Sequence, residues 1–143
     1  MRKPVKVEVG DRLPVREIGP VTQTDIVRFA GAGGDFNPLH HDPEFARKAG
    51  FATPIAMGQM QAGILAGWLT DWCGVEHLRE YEVRFLAAVL PGDVLELSGE
   101  VVAITEAGLY SAAQLALEAT RDSAPVVSAT ATIVVRSGRG GSA

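Results

Sequence analysis

Gly58-Gln59-Met60-Gln61-Ala62-Gly63-Ile64-Leu65-Ala66-Gly67-Trp68-Leu69-Thr70-Asp71-Trp72 carries one charge, Asp71, close to its far end. Wound as a helix, this stretch is apolar on nearly all sides, and such a helix belongs in an interior. It is too short and too rich in glycine for a membrane span, which needs ~20 mostly apolar residues. Gly63 and Gly67 stand four apart, as do Ala62 and Ala66. Two adjacent stripes of small residues predict that a sheet approaches this helix closely.

Downstream of that helix the pattern changes to strands. Glu82-Val83-Arg84-Phe85-Leu86 opens one, and Pro91-Gly92-Asp93 is a turn signal. Leu95, Leu97, Val101 and Ala103 alternate with Glu96, Ser98 and Glu100, with Val102 out of step. Glu106-Ala107-Gly108 breaks that strand. A second alternates from Leu109 to Arg121, Asp122-Ser123-Ala124-Pro125 turns the chain, and Val126 to Arg136 makes the last. Residues 137–143 read as a flexible tail by composition.

Upstream, residues 1–12 read as an irregular lead-in and Leu13 to Pro20 as a short first strand. Thr22 has the look of an N-cap, with Asp25 in the acid-rich first turn, and Gly31, Gly33 and Gly34 end that helix. Asp42 caps a second short helix with Pro43 at its first position, stopping at Gly50. A long buried helix beside a meander of half-buried strands is an α+β layer arrangement in one domain, residues 1–136.

The 143 residues are 47% hydrophobic and 21% charged, with net charge −4, ordinary for a globular protein. The acidic balance and the lack of a Lys/Arg-rich run argue against a nucleic-acid surface. Cys73 is the one cysteine, so no intrachain disulfide forms. The N-terminus shows no apolar signal run, and the expected location is the cytoplasm. No Gly-rich phosphate fingerprint follows a strand.

Gly34-Asp35-Phe36-Asn37-Pro38-Leu39-His40 is the chemically suggestive segment. Asn37-Pro38 keeps it from being a continuous helix, since proline fixes its own backbone and pushes its predecessor toward extended geometry. A carboxylate and an imidazole held this way can face one small volume, the minimum for moving protons to and from a substrate. Asp35, His40, His41 and Asp42 also offer metal donors. Adjacent residues such as His40 and His41 seldom converge on one ion, so no metal site is expected. His41 reads as a loop residue, Asp42 as a cap and His77 as structural.

The run Phe29-Ala30-Gly31-Ala32-Gly33-Gly34-Asp35-Phe36-Asn37-Pro38-Leu39-His40, with Asp42-Pro43 and Ala46, resembles the MaoC-like dehydratases, which include the (R)-specific enoyl-CoA hydratases. Pro54-Ile55-Ala56-Met57-Gly58-Gln59-Met60 looks like that family's second landmark. The resemblance implies a hot-dog fold, a curved antiparallel sheet around the helix Gly58–Trp72, and a homodimer or higher oligomer with sheets joined edge to edge. It implies reversible hydration of a trans-2-enoyl thioester, on coenzyme A or an acyl-carrier protein, to the (R)-3-hydroxyacyl thioester. Coenzyme A enters only as part of the substrate, and no cofactor, nucleic acid or membrane is expected.

By the same resemblance Asp35 is the base that deprotonates water. His40 holds that water and delivers a proton to C2, and the Gly58 N–H is the oxyanion donor. Asn37, Met57 and Gln59 are the accompanying substrate-binding candidates. The family often has His where Met57 stands, Ser where Gly33 stands, and an apolar residue at Gln59. Arg47, Lys48, Arg79 and Arg84 are candidates for coenzyme phosphates. Two alternatives stand beside this reading. One is a subunit of a heteromeric dehydratase, inactive alone. The other is a hot-dog thioesterase, disfavoured because residues 58–70 contain no Asp or Glu.

Overall fold

The computed structural model describes residues 1–136; the expected tail, 137–143, lies outside the described residues. The elements in chain order are β1 (Arg16–Ile18), α1 (Gln23–Gly33), a 3-10 turn (Pro38–His40), α2 (Pro43–Lys48), α3 (Gly58–Cys73), a second 3-10 turn (Val75–His77), β2 (Leu78–Phe85), β3 (Leu95–Ala107), β4 (Tyr110–Arg121) and β5 (Ala124–Arg136). The strands form one antiparallel sheet in the order β1-β3-β4-β5-β2. With α3 against it, this is the expected α+β hot-dog arrangement.

Alternation decides which face of the sheet is buried. Leu97, Ala119 and Val127 line up across β3, β4 and β5, as do Val101, Leu115 and Ala131, and all six are buried. Their outward neighbours include Glu96, Glu118 and Thr130. Val102 falls out of step because the β3–β4 register shifts between Val101 and Ala103. The extra residue of a bulge is left unpaired, and Val102 is accordingly half exposed.

Several expected boundaries move. The first strand shrinks to Arg16–Ile18, although Gly10 and Leu13 donate N–H bonds to Val101 and Gly99, tying the lead-in to β3. β2 begins at Leu78, because β5 offers Ile133 as a partner before any alternation is visible in the sequence. The turn after β4 is only Asp122-Ser123, both at positive φ, the conformation that matches the twist of a two-residue hairpin.

α3 is less enclosed than expected. Met60, Gln61, Ala62, Leu65, Trp68, Leu69 and Cys73 are buried, but Gly63 and Gly67 are exposed, with open space where a side chain would begin. The glycine stripe therefore faces away from the sheet. The close approach occurs elsewhere, at Gly99 on β3, where an added Cβ would sit 2.6 Å from Leu117 and 3.3 Å from Trp68. Trp68 also donates its indole N–H to the Pro14 carbonyl at 2.9 Å. Among the described residues no helix is long and apolar enough to cross a membrane.

The Tyr81 hydroxyl on β2 donates to the Ala62 carbonyl on α3 at 2.8 Å, and burial pushes its phenol up to about 12. An acid with a raised folded pKa holds its proton more tightly when folded. Its contribution is intact below about pH 10, the usual tyrosine value, and is lost as pH climbs toward 12. Urea melts across this range should show a loss of stability in the native chain that is smaller in Tyr81→Phe.

Candidate active site

The site loop begins where α1 stops. Thr22 caps α1 reciprocally: its hydroxyl accepts from the Asp25 N–H at 3.1 Å, and the Asp25 carboxylate accepts from the Thr22 N–H at 2.9 Å. The Thr22 N–H, and after it the Thr22 hydroxyl beside the carboxylate, hold the Asp25 carboxyl below the usual range. Gly34 ends the helix in the left-handed conformation, which glycine adopts without penalty, and swings the chain so that Asp35 leaves the helix axis.

Two side-chain turns then shape the loop. Asp35 Oδ1 accepts the Asn37 N–H at 3.2 Å, and Asn37 Oδ1 accepts the Leu39 N–H at 3.0 Å. The 3-10 turn Pro38–His40 follows, and it delivers His40 beneath Asp35. His40 Nε2 lies 3.3 Å from Asp35 Oδ2. The His40 side chain is 8% exposed and that of Asp35 45%, so solvent reaches the carboxylate while the ring is walled in.

His40 is held at both ends. Its Nδ1 lies 2.8 Å from the Ile55 carbonyl oxygen. A carbonyl only accepts, so Nδ1 carries a proton and Nε2 is the nitrogen presented to Asp35. The His40 carbonyl accepts from the Gln23 side-chain amide at 2.8 Å. Gln23 escaped the sequence reading; its one signal is its place directly after the Thr22 cap.

Ile55 belongs to the segment leading into α3. Its N–H bonds the Leu39 carbonyl at 3.2 Å, and the next N–H, of Ala56, bonds the Val89 carbonyl at 2.8 Å. Gly58 opens α3, so its N–H has no carbonyl four residues back within the helix. Met57 provides no side-chain cap. The helix start thus presents bare N–H groups and the positive end of its dipole. An added Cβ on Gly58 would lie 3.0 Å from the Phe85 ring.

The family model for the MaoC like domain matches residues 5–120. The chain belongs to the MaoC-like dehydratase family. It is 37% identical over 98 residues to a protein of Dictyostelium discoideum named probable enoyl-CoA hydratase 2, an alignment covering 66% of this chain and 33% of that relative. It is 34% identical over 85 residues to the (R)-specific enoyl-CoA hydratase of Aeromonas caviae, covering 57% of this chain and 63% of that one. The solved (R)-hydratase from A. caviae superposes with a TM-score of 0.76 at 26% identity, covering 92% of this chain and 98% of that one. Several named relatives are much longer proteins, of which this chain spans about a third or less.

The MaoC-like domain places the remaining candidates unevenly. Asn37 spends its side-chain oxygen on the loop. Met57 is buried in the hydrophobic core at 5% exposure, while Gln59 is exposed. Gln61, one turn beyond Gly58, is buried and its Oε1 has no hydrogen-bond partner among the described residues. His41 is exposed and Asp42 caps α2 through Glu44 and Phe45, as expected. His77 is buried, its Nε2 2.8 Å from the Arg2 carbonyl. Among the phosphate candidates, Lys48 pairs with Glu44 and Arg79 bonds the Glu76 and Leu78 carbonyls. Arg84 lies on the sheet, lining a polar trough with Glu82 and Glu118, and Arg47 is exposed on α2. Burial pushes the Cys73 thiol up, so it is a poor nucleophile.

An apolar groove of about 710 Å³ runs between α1 and α3, lined by Val21, Phe29, Met60, Gly63 and Ile64. It begins two residues from Gly58, on the face of α3 that the sheet leaves open.

Gly58→Ala sets a methyl group against the Phe85 ring, and overpacking of this kind costs about 1 kcal/mol. A double-mutant cycle with Phe85→Ala in urea should show the two effects coupled. Strict additivity would deny the contact.

Proposed function

We propose that this domain reversibly hydrates a trans-2-enoyl thioester, carried on coenzyme A or an acyl-carrier protein, to the (R)-3-hydroxyacyl thioester. The observation that carries the reading is the Asp35–His40 pair, 3.3 Å apart, with the far side of the imidazole already engaged by Ile55. The named hydratase relatives support the same chemistry.

The separation is long for a direct N–H···O bond, and it suits two groups that address one water. Asp35, open to solvent, takes a proton from that water as its oxygen bonds to C3. The protonated His40 gives its Nε2 proton to C2. The proton on Asp35 then passes to Nε2 across the short gap, and the pair is restored with H and OH added across the double bond. Charge that builds on the thioester oxygen meets the bare Gly58 N–H at the α3 terminus. The chemistry as proposed uses these two side chains, the Gly58 N–H, one water and the substrate's own carrier. We assign the acyl chain to the groove beside Gly63, and expect a second copy of the chain to pair along the open edge of β2.

The thioesterase alternative is disfavoured by α3 itself. Its one acid, Asp71, is spent on Arg16, the two 2.8 Å apart at the helix's far end.

Asp35→Asn and His40→Ala should each lower hydration about 100- to 10,000-fold while leaving the circular dichroism spectrum unchanged. Loss of enoyl absorbance without release of free thiol identifies hydration; thiol release would instead favour the thioesterase. Turnover near the native rate in either variant would remove the mechanism. Gly63→Leu should slow long-chain enoyl thioesters far more than short ones, and equal slowing would move the acyl chain elsewhere.

A further inference from the structure

Pro91-Gly92-Asp93 and the end of β4 lie outside the site, yet the bond on the His40 ring nitrogen Nδ1 and the one on its carbonyl both lead back to them. Arg121 Nη1 donates to Asp93 Oδ2 at 2.6 Å and to the Ala88 carbonyl at 2.8 Å. Asp93 Oδ2 also accepts the Leu90 N–H at 2.9 Å, and the Asp93 N–H returns to the Leu90 carbonyl at 3.1 Å. Both side chains are largely buried, at 28% and 19% exposure. A paired charge in such surroundings is held firmly, because leaving either partner alone is costly. The loop between β2 and β3 is thereby clamped to β4.

Two branches run from this clamp. In the first, the Val89 carbonyl takes the Ala56 N–H, and the neighbouring Ile55 carbonyl takes His40 Nδ1–H. In the second, the Gly92 N–H bonds the Val21 carbonyl at 2.7 Å, and the Val21 N–H bonds the Asp93 carbonyl at 2.8 Å. Two residues beyond Val21, the Gln23 amide holds the His40 carbonyl. One branch orients the ring and the other fixes the backbone that carries it. Gly19 shows how tightly the second is seated, since an added Cβ there would lie 2.8 Å from the Asp93 carbonyl.

We infer that Arg121 and Asp93 are positioning residues for His40, acting through Val89–Ala56–Ile55 and through Val21–Gln23. They touch neither substrate nor reacting atoms. The inference rests on the hydratase reading for its kinetic test, and on the bonded geometry alone for its spectroscopic one.

Arg121→Gln should lower kcat roughly 10- to 100-fold, the usual consequence of misplacing a catalytic group by about an ångström, with KM little changed. In a His40→Ala background the same substitution should have almost no further effect on kcat, because residues acting through one group are not additive. One nitrogen makes both Arg121 bonds, so Arg121→Lys should restore most of the rate. If Arg121→Gln does not fold, Asp93→Asn, which keeps shape and loses charge, carries the same measurements. Hydrogen exchange of the His40 Nδ1–H, followed by NMR and assigned with His40→Ala, reads the clamp without turnover. It should be slow in the native chain and in Arg121→Lys, and markedly faster in Arg121→Gln. Unchanged exchange in Arg121→Gln, or additive losses in kcat, would overturn the inference. Absence of hydration by the native chain would instead overturn the hydratase reading and leave the exchange result to decide the clamp.

Discussion

A helix with no charge in its first thirteen residues cannot be left in water, and the architecture follows from covering it. The buried side of α3 lies against the apolar face of the sheet, where Leu65, Trp68 and Leu69 meet the rows that run across β3, β4 and β5. Side chains of this size contribute about 1.5–3 kcal/mol each when fully buried. Because the sheet seals only one side of α3, its opposite side is left as a groove; its N-terminus, which no side chain caps among the described residues, keeps first-turn donors without intrahelical partners. The same arrangement that stabilises the fold therefore creates an apolar recess and a polar helix end two residues apart.

Asp35 and His40 stand on a loop with little regular structure of its own. What holds the loop is a short chain of hydrogen bonds to backbone groups: Ile55 on the ring, Gln23 on the carbonyl, Asn37 and Asp35 within the loop. A walled-in imidazole with one nitrogen permanently engaged has one nitrogen left for chemistry. The half-exposed carboxylate opposite it can exchange water with solvent. The two groups thus differ in burial as well as in chemistry, the ring walled in and the carboxylate open to solvent. The ion pair of Arg121 and Asp93 lies further out, joined to the loop's supports through peptide groups.

Elements whose signal is local were legible in the sequence. Thr22 and Asp42 announce their caps because the capping side chain and the N–H groups it accepts from are at most three residues apart. The helix at Gly58, the long strands and the Asp35–His40 loop were legible for the same reason. The early start of β2 was not, because Leu78 and Glu80 become strand by pairing with Ile133 and Thr132, more than fifty positions away. The glycine stripe on α3 was read backwards: small residues at a four-residue spacing show that one face is smooth, but not which neighbour faces it.

The sequence alone determined the chemical types in play and their local geometry: a carboxylate and an imidazole on a broken helix end, an uncharged helix, and a glycine at that helix's start. These depend on backbone preferences and on side chains that reach only a few residues. The tertiary structure decided the rest. It chose which imidazole nitrogen faces the carboxylate, which side of α3 stays open, and that Gln23, Val89, Asp93 and Arg121 stand behind His40. Those relations join residues far apart in the chain, and only the closing of the sheet around α3 brings them within bonding distance.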